Sequence, residues 1–263
     1  MKELNYPDIL KVEDTFNEFV LSVGGRLVKD LIADNSNPDL NADYFFENQE
    51  FIIAELKCLQ KDGLSEDKGN NRLLEITKNV FEGKSTNKRE IFLWTLGLIP
   101  MPKEIFNGIR KIVRRAFETH VKKAQKQIRA TKIMLNSPNA KGIILLCNDG
   151  YYSLDPSLMF GFLCELMQDN FKKSNEIDAV VYFTVNIPSK DDTDKYELMV
   201  WIPAYKTDNS PLGNFVNNLG KKWWKFYKKK IGEENLDTPH YTGQNALDKL
   251  KQLKTIKKKK VKK

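Results

Sequence analysis

Asp43, Glu55 and Lys57 bring two carboxylates and an amine into one short stretch, Asn41 to Gln60. Hard cations such as Mg2+ prefer oxygen ligands, and commonly take one or two protein carboxylates with water and substrate phosphate completing the shell. A bound cation lowers the pKa of a water and draws charge from a phosphoryl centre under attack. An ammonium beside it stabilises the negative charge that develops. This is the chemistry of phosphodiester hydrolysis. The same residues also fit a plainer alternative, an ion pair at a strand rim, which contributes less than ~1 kcal/mol where solvent reaches it.

Position separates the two readings. The chain has three Glu-x-Lys triplets, Glu55/Lys57, Glu66/Lys68 and Glu82/Lys84, and only the first lies in an apolar run. Residues two apart in a strand face the same way, so Glu55 and Lys57 project with Ile53 and Leu59. Ala42–Phe46 and Phe51–Leu59 read as a hairpin turning at Glu47–Glu50. A turn centred between Asn48 and Gln49 sets Asp43 opposite Ala54, one step from Glu55, where the two carboxylates share a cation. The literal Pro38-Asp39 pair lies off the hairpin, and register favours Asp43.

The flanking segments supply a scaffold. Val12, Phe16, Phe19, Val20, Val23, Leu27 and Leu31 form one helical stripe over Val12–Ile32. Asn35–Leu40 is a polar break, and Lys61–Arg89 is a polar insertion or flap with a helical patch at Leu73–Phe81. Pro102 opens a long helix to about Leu135, with a possible break at Gly108. Gly142–Cys147 is a wholly apolar buried strand. Asp155-Pro156 caps a helix to about Phe171. Ala179–Asn186 and Tyr196–Pro203 are strands, and Leu212–Ile231 is a last helix. No internal repeat is present. This order predicts an α/β sandwich, a mixed central β-sheet flanked by helices. Residues 1–248 form a single domain with the insertion at about 61–90, and the lysine-rich tail 249–263 is expected to be disordered.

At this point the chain resembles the PD-(D/E)XK nuclease superfamily. The resemblance rests on Asp43 at the start of one strand, then Glu55-Leu56-Lys57 on the next, after an N-terminal helix. It extends over about residues 12–60 and, more loosely, 117–186. It implies a restriction-endonuclease-like fold, with Asp43 and Glu55 as ligands of Mg2+ (Mn2+ as substitute) and Lys57 as the catalytic lysine. It also implies an added carboxylate from the first helix. Glu13 borders the apolar face there while Glu18 points to solvent, so Glu13 is the candidate metal ligand, beside the simpler reading of a helix-start acid. A Gln or Lys from the long helix is implied to line the site. His120, Gln127 and Thr131 fall on its buried side with Phe117, Ala124 and Ile128, making Gln127 the candidate, with Lys123 at the edge and an ordinary buried hydrogen-bond network as the alternative. Gln60 points to the opposite strand face. The implied function is metal-dependent hydrolysis of DNA, a role in defence against foreign DNA following by analogy. The alternatives are a non-catalytic nucleic-acid or protein-binding module on the same scaffold, or an RNA-directed nuclease.

Composition bounds the partners. With 263 residues, 41% hydrophobic and 30% charged, the chain is long enough for a sizeable core. Its longest apolar run, Ile91–Met101, is far short of the ~20 residues of a spanning helix. The first thirty residues do not read as a signal peptide. Three cysteines without metal-ligand spacing and two histidines speak against a zinc site and for a reducing cytoplasm. The net charge of +8 is concentrated in nine lysines at 249–263, leaving the body nearly neutral. Two internal basic clusters remain, Arg110–Lys132 and Lys221–Lys230. Either could follow a phosphate backbone. In the second, Trp223, Trp224, Phe226 and Tyr227 could stack on bases or form a core stripe. A homo-oligomer is compatible with all of this.

Overall fold

The computed structural model describes residues 10–32, 40–65, 67–82, 100–193, 195–208, 210–234 and 240–256, with Arg89, Leu93, Leu96 and Leu98. Pro38-Asp39, the bulk of Ile91–Met101 and residues 257–263 lie outside the described residues.

A six-stranded mixed sheet forms the centre, in the order β1 (Arg26–Leu27), β2 (Tyr44–Glu47), β3 (Phe51–Leu59), β4 (Lys141–Asn148), β5 (Ala179–Thr184), β8 (Trp201–Tyr205). The strands β3, β4 and β5 run parallel, while β1–β2, β2–β3 and β5–β8 are antiparallel. Apolar residues dominate β4 and β5 because helices cover both of their faces. On one face lie α3 (Lys103–Met134) and α4 (Pro156–Lys173), burying Val113, Phe117, Ala124 and Ile128 against Ile53, Ile144 and Tyr182. On the other lie α1 (Val12–Ser22) and α5 (Ser210–Lys230). There the Trp223 ring lies 4.8 Å from Phe16 and 5.1 Å from Phe19. The aromatic residues of the Lys221–Lys230 cluster are therefore core: Trp223, Trp224 and Tyr227 are buried and Phe226 is half-buried.

Several boundaries differ from the sequence reading. The first helix stops at Ser22 instead of continuing to Ile32. Gly24 takes φ +86°, and a Cβ on Gly25 would lie 2.5 Å from the Phe46 ring. Only glycine admits both, so the chain turns here and Arg26–Leu27 joins the sheet as β1, followed by a 3-10 turn at Val28–Asp30. The helical patch of the polar segment extends over Asp67–Glu82 as α2. The helix α3 runs unbroken through Gly108, whose missing side chain makes room for Ile76 of α2. Asp155 makes no side-chain cap on α4.

Tyr196–Pro203 splits into β7 (Tyr196–Glu197) and β8, because the chain passes from a second, small sheet into the central one. That small sheet has the order β7–β6–β9, with β6 at Ser189–Lys190 and β9 at Lys254–Thr255. Residues 249–256 of the lysine-rich end, expected to be disordered, lie in or beside α6 (Gly243–Gln252) and β9. The reason is pairing. Lys249 makes ion pairs with Asp191 and Glu197, and Asp155 accepts a hydrogen bond from the Thr255 amide at 2.9 Å. Among the described residues no helix is long and apolar enough to cross a membrane.

Candidate active site

The hairpin places the three residues of interest. Pairing of Glu47 with Phe51 leaves Asn48-Gln49-Glu50 as a three-residue turn. The register Tyr44↔Ala54, carried one residue further, brings Asp43 level with Glu55 itself and not with Ala54. A three-residue loop instead of a two- or four-residue one accounts for the shift. Asp43 is held on both sides. Its carbonyl accepts from Val28 N at 2.9 Å, and its Oδ2 accepts from Leu56 N at 2.8 Å.

Glu55 is 1% exposed and lies on the side of β3 that faces α3, with Ile53 and Leu59. Its Oε1 is ion-paired with Lys57 Nζ, whose side chain is 11% exposed. Its Oε2 is buried without a hydrogen-bond partner among the described residues. The Glu55 and Asp43 carboxyl groups are near neighbours, close enough for the Asp43 charge to act on Glu55. Burial, the first cause, and the Asp43 charge push the Glu55 carboxyl up to about 8, against the pull of Lys57. Burial likewise raises Asp43, offset in part by the Leu56 amide and by Lys57. Two carboxyls in one dry site cannot both ionise cheaply, so the second charge is the costly one.

The helix α3 supports this arrangement from behind. Gln127 Nε2 donates to the Asn41 carbonyl at 3.0 Å, and Thr131 Oγ1 accepts from Ala42 N at 2.8 Å. Both anchor the two residues that precede Asp43. Gln127 was expected to line the site as a catalytic group. Its amide nitrogen is committed to backbone, and its Oε1 is buried without a hydrogen-bond partner among the described residues. His120 is half-buried, and its pKa is lowered by burial, then by the nearby charges of Lys57 and Lys123. Lys123 is exposed. Gln60 is exposed at the end of β3, apart from the carboxylates.

Glu13 is exposed on α1, and its charge is the last of the causes acting on Asp43. Among the described residues, no group of three or more His, Cys, Asp or Glu side chains could hold a metal ion. Glu18 is ion-paired with Lys230. The carboxylate pair by itself still fits Mg2+ or Mn2+. It offers hard oxygens, one of them buried and unanswered, and these cations keep most of their shell as water and phosphate.

A cleft of about 260 Å3 leads to Asp43 between the 3-10 turn and α1, lined by Asn17, Leu27, Lys29, Ile32, Asn41 and Ala42. Lys29 is exposed at this cleft. Reading Val12–Ile32 as one helix hid it, and the Gly24-Gly25 pair was the available signal. On α3 much of the basic cluster is neutralised locally: Arg110 by Glu165, Arg114 by Asp169, Lys122 by Glu118, and Arg129 and Lys132 by Glu176. Lys111, Arg115, Lys123 and Lys126 have no ion pair among the described residues.

No family model matches this chain, and no curated protein or solved structure gives a significant match.

Proposed function

We propose that the chain is a divalent-metal-dependent nuclease that hydrolyses phosphodiester bonds of DNA. The observation that carries this reading is the pair of neighbouring buried carboxyls, Asp43 and Glu55, with Lys57 ion-paired at its edge. Structural carboxylates are seldom buried against each other, because the second charge raises the cost of the first. A bound Mg2+ or Mn2+ would be held by Asp43 and Glu55 and would supply Lewis acidity and a more acidic water. Lys57, ion-paired with Glu55, stands beside the carboxylates, where an attacked phosphate accumulates negative charge. Asn41 and Ala42, fixed by Gln127 and Thr131, hold Asp43 in place. Lys29, Lys123 and Lys126 are the exposed cations that would meet the strand. A reducing compartment such as the cytoplasm suits the three free thiols, and a defence role against foreign DNA is part of the same proposal.

Linear and plasmid DNA incubated with the protein should be cut with Mg2+ or Mn2+ and spared with EDTA. Glu55→Gln and Lys57→Ala should each lower the rate at least about a hundredfold. Cleavage that survives both substitutions would overturn the assignment. RNA of matched sequence serves as the competing substrate.

Among the described residues no third His, Cys, Asp or Glu groups with the pair to hold a metal, which favours one second reading, a module that binds nucleic acid without cutting it. That module binds DNA equally well in EDTA, and the two substitutions leave its affinity unchanged.

A further inference from the structure

A cavity of about 470 Å3 lies at the β8 edge of the central sheet, three strands away from β3. Its walls come from several parts of the chain. Trp201 and Tyr205 belong to β8, Trp224 to α5, and Tyr241, Ala246 and Leu250 to the C-terminal segment that covers the strand. Gly220 on α5 lets the sheet wall approach, since a Cβ there would lie 2.5 Å from Trp201 Nε1. The cover is fixed in place by Lys249 on Asp191 and by Thr255 on Asp155. Cavities of this size, mainly apolar with a few polar groups, are where small ligands bind.

Its chemistry is selective. Five aromatic residues line it, Phe160 of α4, Trp201 and Tyr205 of β8, Trp224 of α5 and Tyr241 of the C-terminal segment, and every nucleobase presents a π-face to such a surface. Trp201 Nε1 and Tyr205 Oη are buried without partners among the described residues. Each unanswered polar group costs about 1–3 kcal/mol. Lys221 and His240 are exposed lining residues, and Lys221 has no ion pair among the described residues. The carboxylate in the wall, Glu197, is offset by Lys249 at 3.7 Å. An aromatic interior with Lys221 and His240 at its exposed edge matches a ligand that is planar at one end and anionic at the other. A purely apolar ligand would leave the lysine unused.

We propose that this cavity binds a nucleotide, its base among Trp201, Trp224 and Tyr241 and its phosphate toward Lys221 and His240. The nucleotide is either free or the unpaired end of a strand.

Calorimetric titration of the whole protein in EDTA, with AMP, adenosine, inorganic phosphate and single-stranded dA10 as probes, tests this. Saturable AMP binding at least about tenfold tighter than adenosine or phosphate is expected, a base stack and a charge each contributing on that scale. Ala246→Trp, which fills the cavity from a half-exposed position, should weaken it at least tenfold. Lys221→Glu, at an exposed site, should remove the advantage of AMP over adenosine. AMP bound more tightly than dA10 assigns a free nucleotide, and the reverse assigns a strand end. No saturable binding of either, or AMP binding unchanged in both variants, would overturn the proposal. Glu55→Gln should leave AMP binding intact, which separates this cavity from the hairpin.

Discussion

The backbone amide of Leu56 donates to the carboxylate of Asp43 at 2.8 Å, in the place where a neighbouring strand would otherwise supply a carbonyl. Strand β2 ends one residue later in space, at Tyr44, and the Asp43 side chain completes the ladder of β3. One carboxylate therefore serves both the sheet and the candidate centre.

Asp43→Asn keeps an oxygen that accepts from Leu56 and should cost little stability, whereas Asp43→Ala leaves the amide unanswered and should cost about 1–3 kcal/mol. Both should abolish the rise in melting temperature on adding Mn2+. Chemical denaturation and thermal melts of the two variants check this, and equal stability of Asp43→Ala and the parent would be the contrary result.

The Glu55 carboxyl, raised to about 8 in the fold from 4.5, makes the metal-free protein sensitive to alkali. Between these values the folded state holds a proton that the unfolded state has lost, so stability falls as pH rises from about 4.5 through 8. Glu55→Gln should flatten that decline. Cation binding needs the ionised pair, so Mn2+ affinity should climb with pH to about 8 and proton release should accompany binding at pH 7. Melts over pH 5–9 and calorimetry in buffers of different ionisation enthalpy read both effects.

Thr131→Val removes the acceptor of the Ala42 amide, and Gln127→Leu removes the donor to Asn41. Each should lower stability by about 1–3 kcal/mol and reduce kcat with little change in KM, because the substrate does not touch either side chain. A change confined to KM would point to direct substrate contact instead.

Lys29→Ala and Lys123→Ala should weaken DNA binding without sequence preference, and each should reduce the slope of log affinity against log salt by about 1. Lys122→Ala, ion-paired with Glu118 at 2.7 Å, should change it less. Fluorescence anisotropy across a salt series separates them.

Trp223→Ala should cost about 3–5 kcal/mol, as expected for a fully buried aromatic in contact with Phe16 and Phe19. In the protein that remains folded, DNA affinity should be unchanged, since this ring has no surface to offer a base.

Local periodicity made much of this legible from residues alone. The alternation of Ile53, Glu55, Lys57 and Leu59, the helical spacing from Phe117 to Thr131, and the apolar run of β4 each describe one element and need no partner. Relations between elements were harder to read. The register of Asp43 depended on whether the turn held two, three or four residues, and nothing in Glu47–Glu50 decided that. Lys249 looked like part of a solvated tail because its acidic partners, Asp191 and Glu197, lie more than fifty residues back.

The bond from the Thr255 amide to Asp155, together with the pairing of Ser189 with Thr255, also sets an order in time. The small sheet closes only when β9 returns to β6, pairing Ser189 with Thr255. Such closures cost entropy before they return any contact energy. The β8 cavity, walled in part by the C-terminal segment, should therefore exist only after that segment has docked. Refolding followed by a probe at Trp201 should trail refolding followed at Trp223.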